Sequence, residues 1–231
     1  MLELAARHGG CGRTLLDLAC GTGKSFMPFV RRCFEVTACD SSRAMLAVAK
    51  RKAPEARLIH ADIRDLTIIG RFDLVTCFDD SLNYLLDADD LLAALGWVAA
   101  NLHRAGLAIF DLNTLHAYRT TFSSDSVSAR GDTVFVWRGE CASSAGPGCR
   151  AAARLDVFAP RDDELYDRIR TRHEQRHFPC EQVVELMRLV GLECVGVHGV
   201  LDDGQLVEPA DESTQLKVLY IARHAKGGAA Q

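Results

Sequence analysis

The sequence contains no CxxC pair, no long apolar run and no large excess of charge of one sign. Its nine cysteines are scattered, and several stand inside apolar runs such as VTAC and LVTC. This pattern predicts reduced, mostly buried thiols in a cytoplasmic protein, and it argues against a disulfide framework or a zinc cage. The first ten residues, MLELAARHGG, are too short and too charged for a signal peptide, and no run approaches the length of a membrane span.

A formal net charge of −4 and a pI of about 6.1 disfavour a nucleic-acid partner, because such proteins usually present a broad basic surface. A metal site is not expected either. His173 and His177 are four residues apart, which on a strand separates them by roughly 13 Å, too far to bind one ion. With 231 residues, 48% of them hydrophobic, the chain is long enough for one domain with an insertion.

Apolar runs alternate with segments of helical periodicity in the first half of the chain. The runs are predicted strands because each is short and ends at a turn. They are TLLDLAC (14–20), FEVTACD (34–40), ARLIHAD (56–62), RFDLVTCF (71–78) and GLAIFDLNT (106–114). Helices are predicted for GKSFMPFVRRC, SSRAMLAVAKRKA and DADDLLAALGWVAANLHRAG. This order predicts an α/β fold with a doubly wound, mostly parallel sheet that binds ligands at the carboxyl ends of its strands.

The alternation stops after residue 118. TFSSDSVSARGD is predicted as a polar loop, whereas DTVFVWRGE, RAAARLDVFAP and ELYDRIRTRHEQRHF alternate like strands with no helix between them. We therefore expect a ligand-binding core at 1–118, an antiparallel β insertion at 119–178 after the fifth strand, and a closing segment at 179–231. The closing segment contains a predicted helix, PCEQVVELMRLVGL, and two strands, LECVGVHGV and QLKVLYIARH.

The stretch LLDLACGTGKS contains a glycine-rich turn that could serve more than one kind of ligand. A P-loop requires a glycine at the position of Leu18, inside the strand, so its spacing is not met. A nicotinamide-binding turn requires a third glycine where Phe26 stands. Asp17 adds negative charge near the turn, which would repel a pyrophosphate but suits a ligand that carries an ammonium or sulfonium group.

LLDLACGTGKS resembles motif I of the class I S-adenosylmethionine (SAM) dependent methyltransferases. VTACDSSRAML, HADIRDL, FDLVTCFDDSLNYLL and GLAIFDLNT resemble later segments of the same family, in the same order. The resemblance covers residues 13–118 and the final helix and strands. It implies a Rossmann-like fold, SAM as the cofactor and methyl transfer as the reaction. FDDSLNYLL followed by FDLNT resembles a small-molecule subset that includes natural-product tailoring enzymes and amino-sugar N-methyltransferases.

The resemblance also implies roles for individual residues. Gly21 and Gly23 let the backbone approach the methionine part of SAM without a Cβ in the way. Asp40 is placed on the two ribose hydroxyls, Asp62 on the adenine amino group and Ile63 against the adenine ring. The backbone near Ala19 and Phe78 would receive the ammonium group of the ligand. The implied cofactor-binding residues are Asp17, Ala19, Gly21, Gly23, Asp40, Ser41, Asp62, Ile63 and Phe78.

The acceptor is expected above the ends of the fourth and fifth strands, with the insertion as a substrate lid. The candidate acceptor-binding residues are Asp79, Asn83, Tyr84, Asn113 and Tyr118. On the last strand of the insertion, a period of two places a row of arginines from Arg168 to Arg176 on one face and His173 on the other. The row is interpreted as a charged, solvated edge, with recognition of an acidic substrate as the alternative.

A general base should titrate near neutrality, which favours histidine. His116 and His173 are predicted to converge between sheet and lid. We expect a cytoplasmic enzyme that moves a methyl group from SAM to an oxygen or nitrogen of a small metabolite. An RNA-modifying methyltransferase, disfavoured by the missing (D/N)PP(Y/W) motif, and a non-catalytic SAM-binding subunit are the alternatives. Only MLELAARHGGCGR precedes motif I. Either the insertion or the partner in a homodimer then supplies the lid, or the start is truncated.

Overall fold

The structure is a computed structural model that describes residues 2–225 except 11, 66, 163, 164 and 202. Cys11 and the last six residues of the predicted closing segment lie outside the described residues. The helices are α1 (Leu2–Arg7), α2 (Met27–Val30), α3 (Arg43–Lys52), α4 (Ala88–Asn101), α5 (Leu115–Thr120) and α6 (Cys180–Leu189). Within the described part of the chain, no helix combines the length and apolarity that crossing a membrane requires.

Eight strands of the described residues form one sheet. They are β1 (Thr14–Leu18), β2 (Glu35–Asp40), β3 (Arg57–His60), β4 (Phe72–Cys77), β5 (Leu102–Asn113), β10 (Leu192–Val200), β11 (Leu206–Val207) and β12 (Lys217–His224). Their order in the sheet is β11-β10-β12-β5-β4-β1-β2-β3. β1 to β5 pair in parallel, and β12, β10 and β11 extend the β5 edge antiparallel. The predicted fold class, a mostly parallel α/β sheet with antiparallel strands, is confirmed.

The chain order around β1 places a cleft at the carboxyl end of the sheet. From β1 the chain moves outward through β2 and β3, then crosses to β4 on the other side of β1. Ligands of such sheets bind at this point of reversal. Alternate strand residues pack into two cores: Leu15 joins one with α3, whereas Leu16 and Leu18 join the other with α4 and α6. Burial on both faces explains why these strands read as continuous apolar runs.

A separate antiparallel sheet covers the carboxyl ends of the main strands. It consists, among the described residues, of β6 (Asp125–Arg130), β7 (Thr133–Gly139), β8 (Arg150–Pro160) and β9 (Tyr166–Arg176), in that order. Asn83 Nδ2 and the Tyr118 hydroxyl both donate to the Arg176 carbonyl oxygen, at 2.9 and 3.1 Å. Trp137 Nε1 donates to the Thr121 carbonyl at 2.8 Å. These bonds hold the second sheet against the first.

Some local predictions were wrong where tertiary pairing outweighs sequence pattern. The predicted polar loop contains β6, whose side chains are all exposed. Only Val127 and Ala129 alternate with its polar residues, which is a weak strand signal, and backbone pairing with β7 makes it a strand. The helix α5 was not predicted; it begins after Thr114, whose side chain accepts a hydrogen bond from the Ala117 N–H. The predicted helix after motif I shortens to α2, because turns occupy residues 21–26. The short strand β11 was also missed.

Candidate active site

The turn after β1 presents its backbone to the cleft. Ala19, Gly21 and Gly23 have φ angles of 51°, 53° and 82°, in the left-handed region that favours glycine. A Cβ on Gly21 would meet the Met45 sulfur at 3.7 Å and no other neighbour within 4 Å, so the space beside it is open. A Cβ on Gly23 would come within 2.7 Å of the Phe26 ring. Gly21 is therefore suited to contact a ligand, whereas Gly23 is needed for packing.

The cleft beside this turn has a volume of ≈ 810 Å³. The predicted cofactor residues that line it are Ala19, Gly21, Asp40, Ser41, Asp62, Ile63 and Phe78. Asp17 and Gly23 lie behind this surface. The structure thus brings together most of the residues that the motif resemblance assigned to one ligand, although they come from four separate stretches of the chain.

Asp17 is fully buried beneath the turn and does not line the cleft, so the expected direct contact with the cofactor is not what the structure provides. Its carboxylate accepts hydrogen bonds from Ser25 Oγ at 2.5 Å and Thr76 Oγ1 at 2.6 Å. Burial raises the pKa of Asp17 to about 6, against these two bonds, which lower it. Asp17 therefore braces the turn against the neighbouring strand β4.

Asp40 ends β2 and organises the opposite wall of the cleft. Its Oδ2 accepts from the Gly21 backbone N–H at 2.7 Å and its Oδ1 from the Ser42 N–H at 2.8 Å. Ser42 in turn caps α3 by accepting from the Met45 N–H. Each carboxylate oxygen can accept more than one hydrogen bond, so Asp40 can hold the turn and still receive ligand hydroxyls.

Asp62 and Ile63 form the far end of the cleft. Asp62 Oδ2 pairs with Arg64 Nη2 at 2.6 Å, and Oδ1 accepts from Arg64 Nε at 2.9 Å. These bonds lower the pKa of Asp62. A largely buried carboxylate at Asp40 that lines the cleft, an open turn at Gly21 and an apolar side chain at Ile63 fit the ribose, methionine and adenine parts of SAM.

A strained turn at the end of β4 separates this cleft from a second cavity. Asp79 and Asp80 both have left-handed backbone, with φ of 59° and 52°. Such backbone costs on the order of 1 kcal/mol or more for each non-glycine residue, so it needs support. Asp111 on β5 supplies it: Oδ1 accepts from the Asp80 N–H at 2.6 Å and Oδ2 from the Asp79 N–H at 3.1 Å. Burial raises the pKa of Asp111 to about 6, and the Lys217 charge opposes the rise.

The Asp80 carboxylate is held from two sides. Gln175 Nε2 donates to Oδ2 at 2.5 Å, and Lys217 Nζ donates to Oδ1 at 2.7 Å. Lys217 Nζ also lies 3.7 Å from Asp111 Oδ2. Burial alone would lower the pKa of Lys217, but the charges of Asp111 and Asp80 raise it overall. With Asp79 nearby, three carboxylates face one ammonium group, so this corner carries net negative charge and suits a cationic ligand.

The second cavity, of ≈ 490 Å³, lies between the main sheet and the second sheet. We call it the acceptor cavity. Phe122, Phe135, Trp137 and Leu155 supply apolar wall, and Asp80 and Lys217 lie at its base. Tyr84 and His173 line both the acceptor cavity and the cofactor cleft. They therefore mark where a group in one cavity can meet a group in the other.

Tyr84 and His173 form a hydrogen-bonded pair at this junction. The Tyr84 hydroxyl lies 2.6 Å from His173 Nδ1, and Thr171 Oγ1 lies 3.0 Å from Nε2. The imidazole stacks on Trp137 with ring centroids 5.8 Å apart. Burial lowers the pKa of His173, although the Asp80 charge opposes this, and burial raises the pKa of Tyr84. Both groups are thus neutral near pH 7.

The predicted acceptor residues divide into lining and bracing groups. Tyr84 and Asn113 line the acceptor cavity, and Asp79 lines the cofactor cleft. Asn83 and Tyr118 were wrongly placed there: both are fully buried, and they donate to the second sheet as described above. Asn83 Oδ1 also accepts from the Asn113 N–H at 2.8 Å. Their amide and hydroxyl groups are used in joining the two sheets.

The predicted convergence of His116 with His173 is wrong. Ala117 on α5 and Thr121, which directly follows α5 with helical backbone angles, both line the acceptor cavity and are four residues apart on one face. His116 is one position away from Ala117 on the helix and lines neither cavity. The segment FDLNTLH continues the predicted strand, and nothing in it indicates that a helix begins there. The direction of the His116 side chain could therefore not be predicted.

The arginine row lies on the face of β9 opposite His173. Arg168 Nε and Arg170 Nε each lie 2.8 Å from Oδ1 of the buried Asp156, and Arg138 pairs with its Oδ2 at 3.0 Å. Arg172 pairs with Glu174 at 2.7 Å. Arg168, Arg170 and Arg172 are exposed, and no arginine of the row lines the acceptor cavity, although Arg172 lines the cofactor cleft. The acceptor cavity thus gives no support to recognition of an acidic substrate by this row.

Gln175 and Lys217 are site residues that sequence reasoning missed. The period of two in β9 places Gln175 on the same face as His173, and this signal was available. Lys217 is the charged first residue of an otherwise apolar strand, KVLYIA. Its place next to Asn113 follows from the antiparallel pairing of β12 with β5, which the sequence does not specify.

Comparisons with known proteins agree with this geometry. A family model described as a methyltransferase domain matches residues 15–106. The chain is 32% identical over 201 residues to a dTDP-3-amino-3,6-dideoxy-alpha-D-glucopyranose N,N-dimethyltransferase of Streptomyces fradiae, covering 83% of this chain and 74% of the relative. It is 29% identical over 192 residues to a cypemycin N-terminal methyltransferase of Streptomyces, covering 81% and 76%. A crystal structure of a SAM-dependent methyltransferase from Clostridium acetobutylicum has a TM-score of 0.82 at 25% identity, covering 97% and 89%.

The fold and these similarities define an enzyme that uses SAM as its methyl donor. The chain belongs to the class I SAM-dependent methyltransferases, of the small-molecule type. The predicted family, cofactor and reaction are therefore confirmed. These similarities give no support to an RNA-modifying enzyme or to a non-catalytic subunit.

Proposed function

We propose that the protein transfers the methyl group of SAM to an amine nitrogen of a small molecule in the acceptor cavity. The observation that carries the proposal is the Tyr84–His173 pair, which lines both cavities and is hydrogen-bonded at 2.6 Å. The acidic corner around Asp80 favours a cationic group such as an ammonium. By name, the Streptomyces relatives act on an amino sugar and on a peptide N-terminus, which are both amines.

Bound SAM supplies a methyl group activated by a sulfonium. An amine attacks only when it is neutral, so the protein must receive the ammonium and remove a proton from it. The Asp80 carboxylate, fixed by Gln175 and Lys217, is placed to receive the ammonium. The Tyr84 oxygen can then accept the proton as its own hydroxyl proton passes to His173 Nδ1. Trp137 and Phe122 supply apolar wall beside this corner.

We further propose that residues 119–178 act as the substrate lid between the core at 1–118 and the closing segment from 179. The second sheet supplies His173, Gln175 and the apolar wall of the acceptor cavity, which supports this division. A cytoplasmic location is proposed because each described cysteine is a free thiol. We propose that the protein acts without a nucleic-acid or membrane partner. We also propose that it forms a homodimer.

The test is a measurement of S-adenosylhomocysteine release with matched pairs of acceptors. Each pair contains an amine and the alcohol that replaces its amino group by hydroxyl; the pairs include an amino sugar and an amino acid amide. We expect turnover with at least one amine and at least about 100-fold less with its alcohol, because a bound ammonium matches the acidic corner and a hydroxyl needs a stronger base. Turnover of alcohols in preference to their amines would contradict the proposal.

A further inference from the structure

Two half-buried cysteines flank the loop that joins β7 to β8. Cys141 follows the end of β7, and Cys149 immediately precedes β8. Both pack against the apolar cluster of the second sheet that contains Tyr118, Phe122 and Ala151. Because neither cysteine is fully buried, a small reagent in solution can reach this pair.

The two thiols are in direct contact. The Cys149 Sγ–H donates a hydrogen bond to the Cys141 sulfur, and Cys141 Sγ donates to the Ala142 carbonyl oxygen at 3.6 Å. Burial raises the pKa of both thiols, but the hydrogen bond between them opposes this rise at Cys141 and adds to it at Cys149. Cys141 is therefore the sulfur of the pair that ionises first and attacks an electrophile first.

Backbone hydrogen bonds fix both cysteines in this arrangement. The Cys141 N–H donates to the Phe122 carbonyl oxygen at 2.9 Å, and the Cys149 carbonyl oxygen accepts from the His177 N–H at 2.9 Å. Within the loop, the Gly148 N–H donates to His177 Nδ1 at 3.1 Å. Since the ends of the loop are held and the sulfurs already meet, a bond between them requires little movement of the backbone.

The pair lies next to the aromatic wall of the acceptor cavity. Phe122 and Trp137 both line this cavity, and their rings meet edge to face with centroids 5.1 Å apart. The segment that carries Phe122 touches the end of β7, where a Cβ on Gly139 would overlap the Phe122 carbonyl. A covalent link beside Cys141 would therefore act on the segment that positions Phe122.

We infer that Cys141 and Cys149 form a redox modification site, where a low-molecular-weight disulfide oxidises the pair to an intramolecular disulfide that stabilises this part of the lid. The Cys141 thiolate attacks one sulfur of the oxidant, and one thiolate leaves. Cys149 loses its proton to solvent and attacks the Cys141 sulfur, which releases the second thiolate. The cysteines lose two electrons and two protons, and the oxidant becomes two thiols. Excess thiol reverses the reaction, as expected for a disulfide in a reducing compartment.

The test treats the reduced full chain with glutathione disulfide at about pH 8.5, where more of each thiol is ionised. Trypsin cleaves after Arg138 and Arg150, so both cysteines lie in the peptide 139–150. We expect the mass of this peptide to fall by about 2 Da, the two hydrogens lost on oxidation, and to return with dithiothreitol. An unchanged peptide mass, or glutathione adducts on both cysteines in place of the link, would overturn the inference.

Matched variants identify the sulfurs. Cys141→Ser and Cys149→Ser should each abolish the loss of about 2 Da. The control is Cys33→Ser, which removes an exposed cysteine elsewhere in the chain; its peptide 139–150 should be oxidised like that of the parent. A loss of this link in Cys33→Ser would show that Cys141 and Cys149 are not a self-sufficient pair.

Thermal unfolding of the same samples tests the stabilising effect. The link closes a loop of nine residues, 141–149, and so reduces the freedom of the unfolded chain. The oxidised parent should unfold about 5 °C above the reduced parent, and Cys141→Ser should show no such difference. Equal unfolding temperatures in a parent that carries the link would overturn the stabilising role. Neither measurement requires a methyl acceptor, so failure here is distinct from failure of the proposed function.

Discussion

The cofactor cleft and the acceptor cavity are adjacent, but the chain builds them in different ways. Most residues that line the cleft lie in the turns that follow β1, β2, β3 and β4, and Thr171, Arg172 and His173 of β9 complete it. The acceptor cavity is formed by side chains from distant parts of the chain. Asp80, for example, is fixed by Gln175 and by Lys217, which are 95 and 137 residues away.

Because of this difference, the two regions should respond differently to single substitutions. A turn held by its own backbone and by Asp40 depends on few side chains, so a single change there should abolish one function and leave the other intact. The acceptor cavity depends on a network in which Asp111, Lys217 and Gln175 share Asp80. A substitution of one of these residues should reduce activity only partly, because the remaining partners still hold Asp80. The predictions below test that separation, beginning with the largest expected effect.

Asp40→Ala should weaken binding of SAM or S-adenosylhomocysteine by about 2–4 kcal/mol, because it removes charge-assisted hydrogen bonds to the ribose and frees the Gly21 and Ser42 N–H groups. Calorimetry gives the affinity directly. The matched control is Asp65→Ala, an exposed carboxylate near the end of the cleft that does not line it. Equal affinity in Asp40→Ala and the parent protein would remove the assignment of the cleft to the cofactor.

His173→Gln should slow methyl transfer by about 100-fold at saturating acceptor, since it removes the group that receives the Tyr84 hydroxyl proton when Tyr84 takes the proton of the amine. The pH dependence of kcat provides a second readout. A protonated imidazole cannot accept a proton, so the parent rate should fall as pH decreases through the pKa of His173. Burial lowers that pKa from the usual 6.5, so the fall should lie below pH 6.5.

The comparison variant is His116→Gln, which changes the other predicted catalytic histidine, one that lines neither cavity. Its rate and pH profile should match the parent. The parent rate should fall at low pH. If this fall disappeared in His116→Gln and persisted in His173→Gln, His116 and not His173 would be the base. Near-normal rates in both variants would leave positioning and exclusion of water as the whole mechanism.

The cleft was the more predictable region because its geometry follows from local sequence. Gly21 and Asp40 stand at fixed places after predicted strands, and a parallel sheet brings such strand ends together. Asn83 and Tyr118 follow β4 and β5 of the same sheet, yet the structure uses them to join the two sheets. Both residues do follow strand ends, as predicted. Their contacts, however, depend on how the second sheet packs against the first, and no local sequence pattern specifies that packing. Lys217 was missed for the same reason.

Asp111→Asn should reduce kcat/KM for the acceptor about tenfold while cofactor affinity stays within about twofold. An amide offers one acceptor oxygen, so only one of the Asp79 and Asp80 N–H groups keeps its partner. Lys217 also loses a negative neighbour. The strained turn should then relax and move the Asp80 carboxylate. Kinetics with S-adenosylhomocysteine calorimetry on the same variant separates the two regions. Equal losses in both measurements would show that the turn supports the cleft as well.

The smallest effect is expected at the exposed end of the cleft, where Asp62 pairs with Arg64. Their side chains are 31% and 58% exposed, so solvent screens this pair. Asp62→Ala should weaken cofactor binding about fivefold, because it removes one exposed acceptor for the adenine amino group. Arg64→Ala should change the affinity less than about threefold, since it frees Asp62 Oδ2 for the ligand while removing a partner that orients the carboxylate. Calorimetry at low and high salt checks both values. A loss in Asp62→Ala as large as that in Asp40→Ala would show that the adenine end, and not the ribose, dominates binding in the cleft.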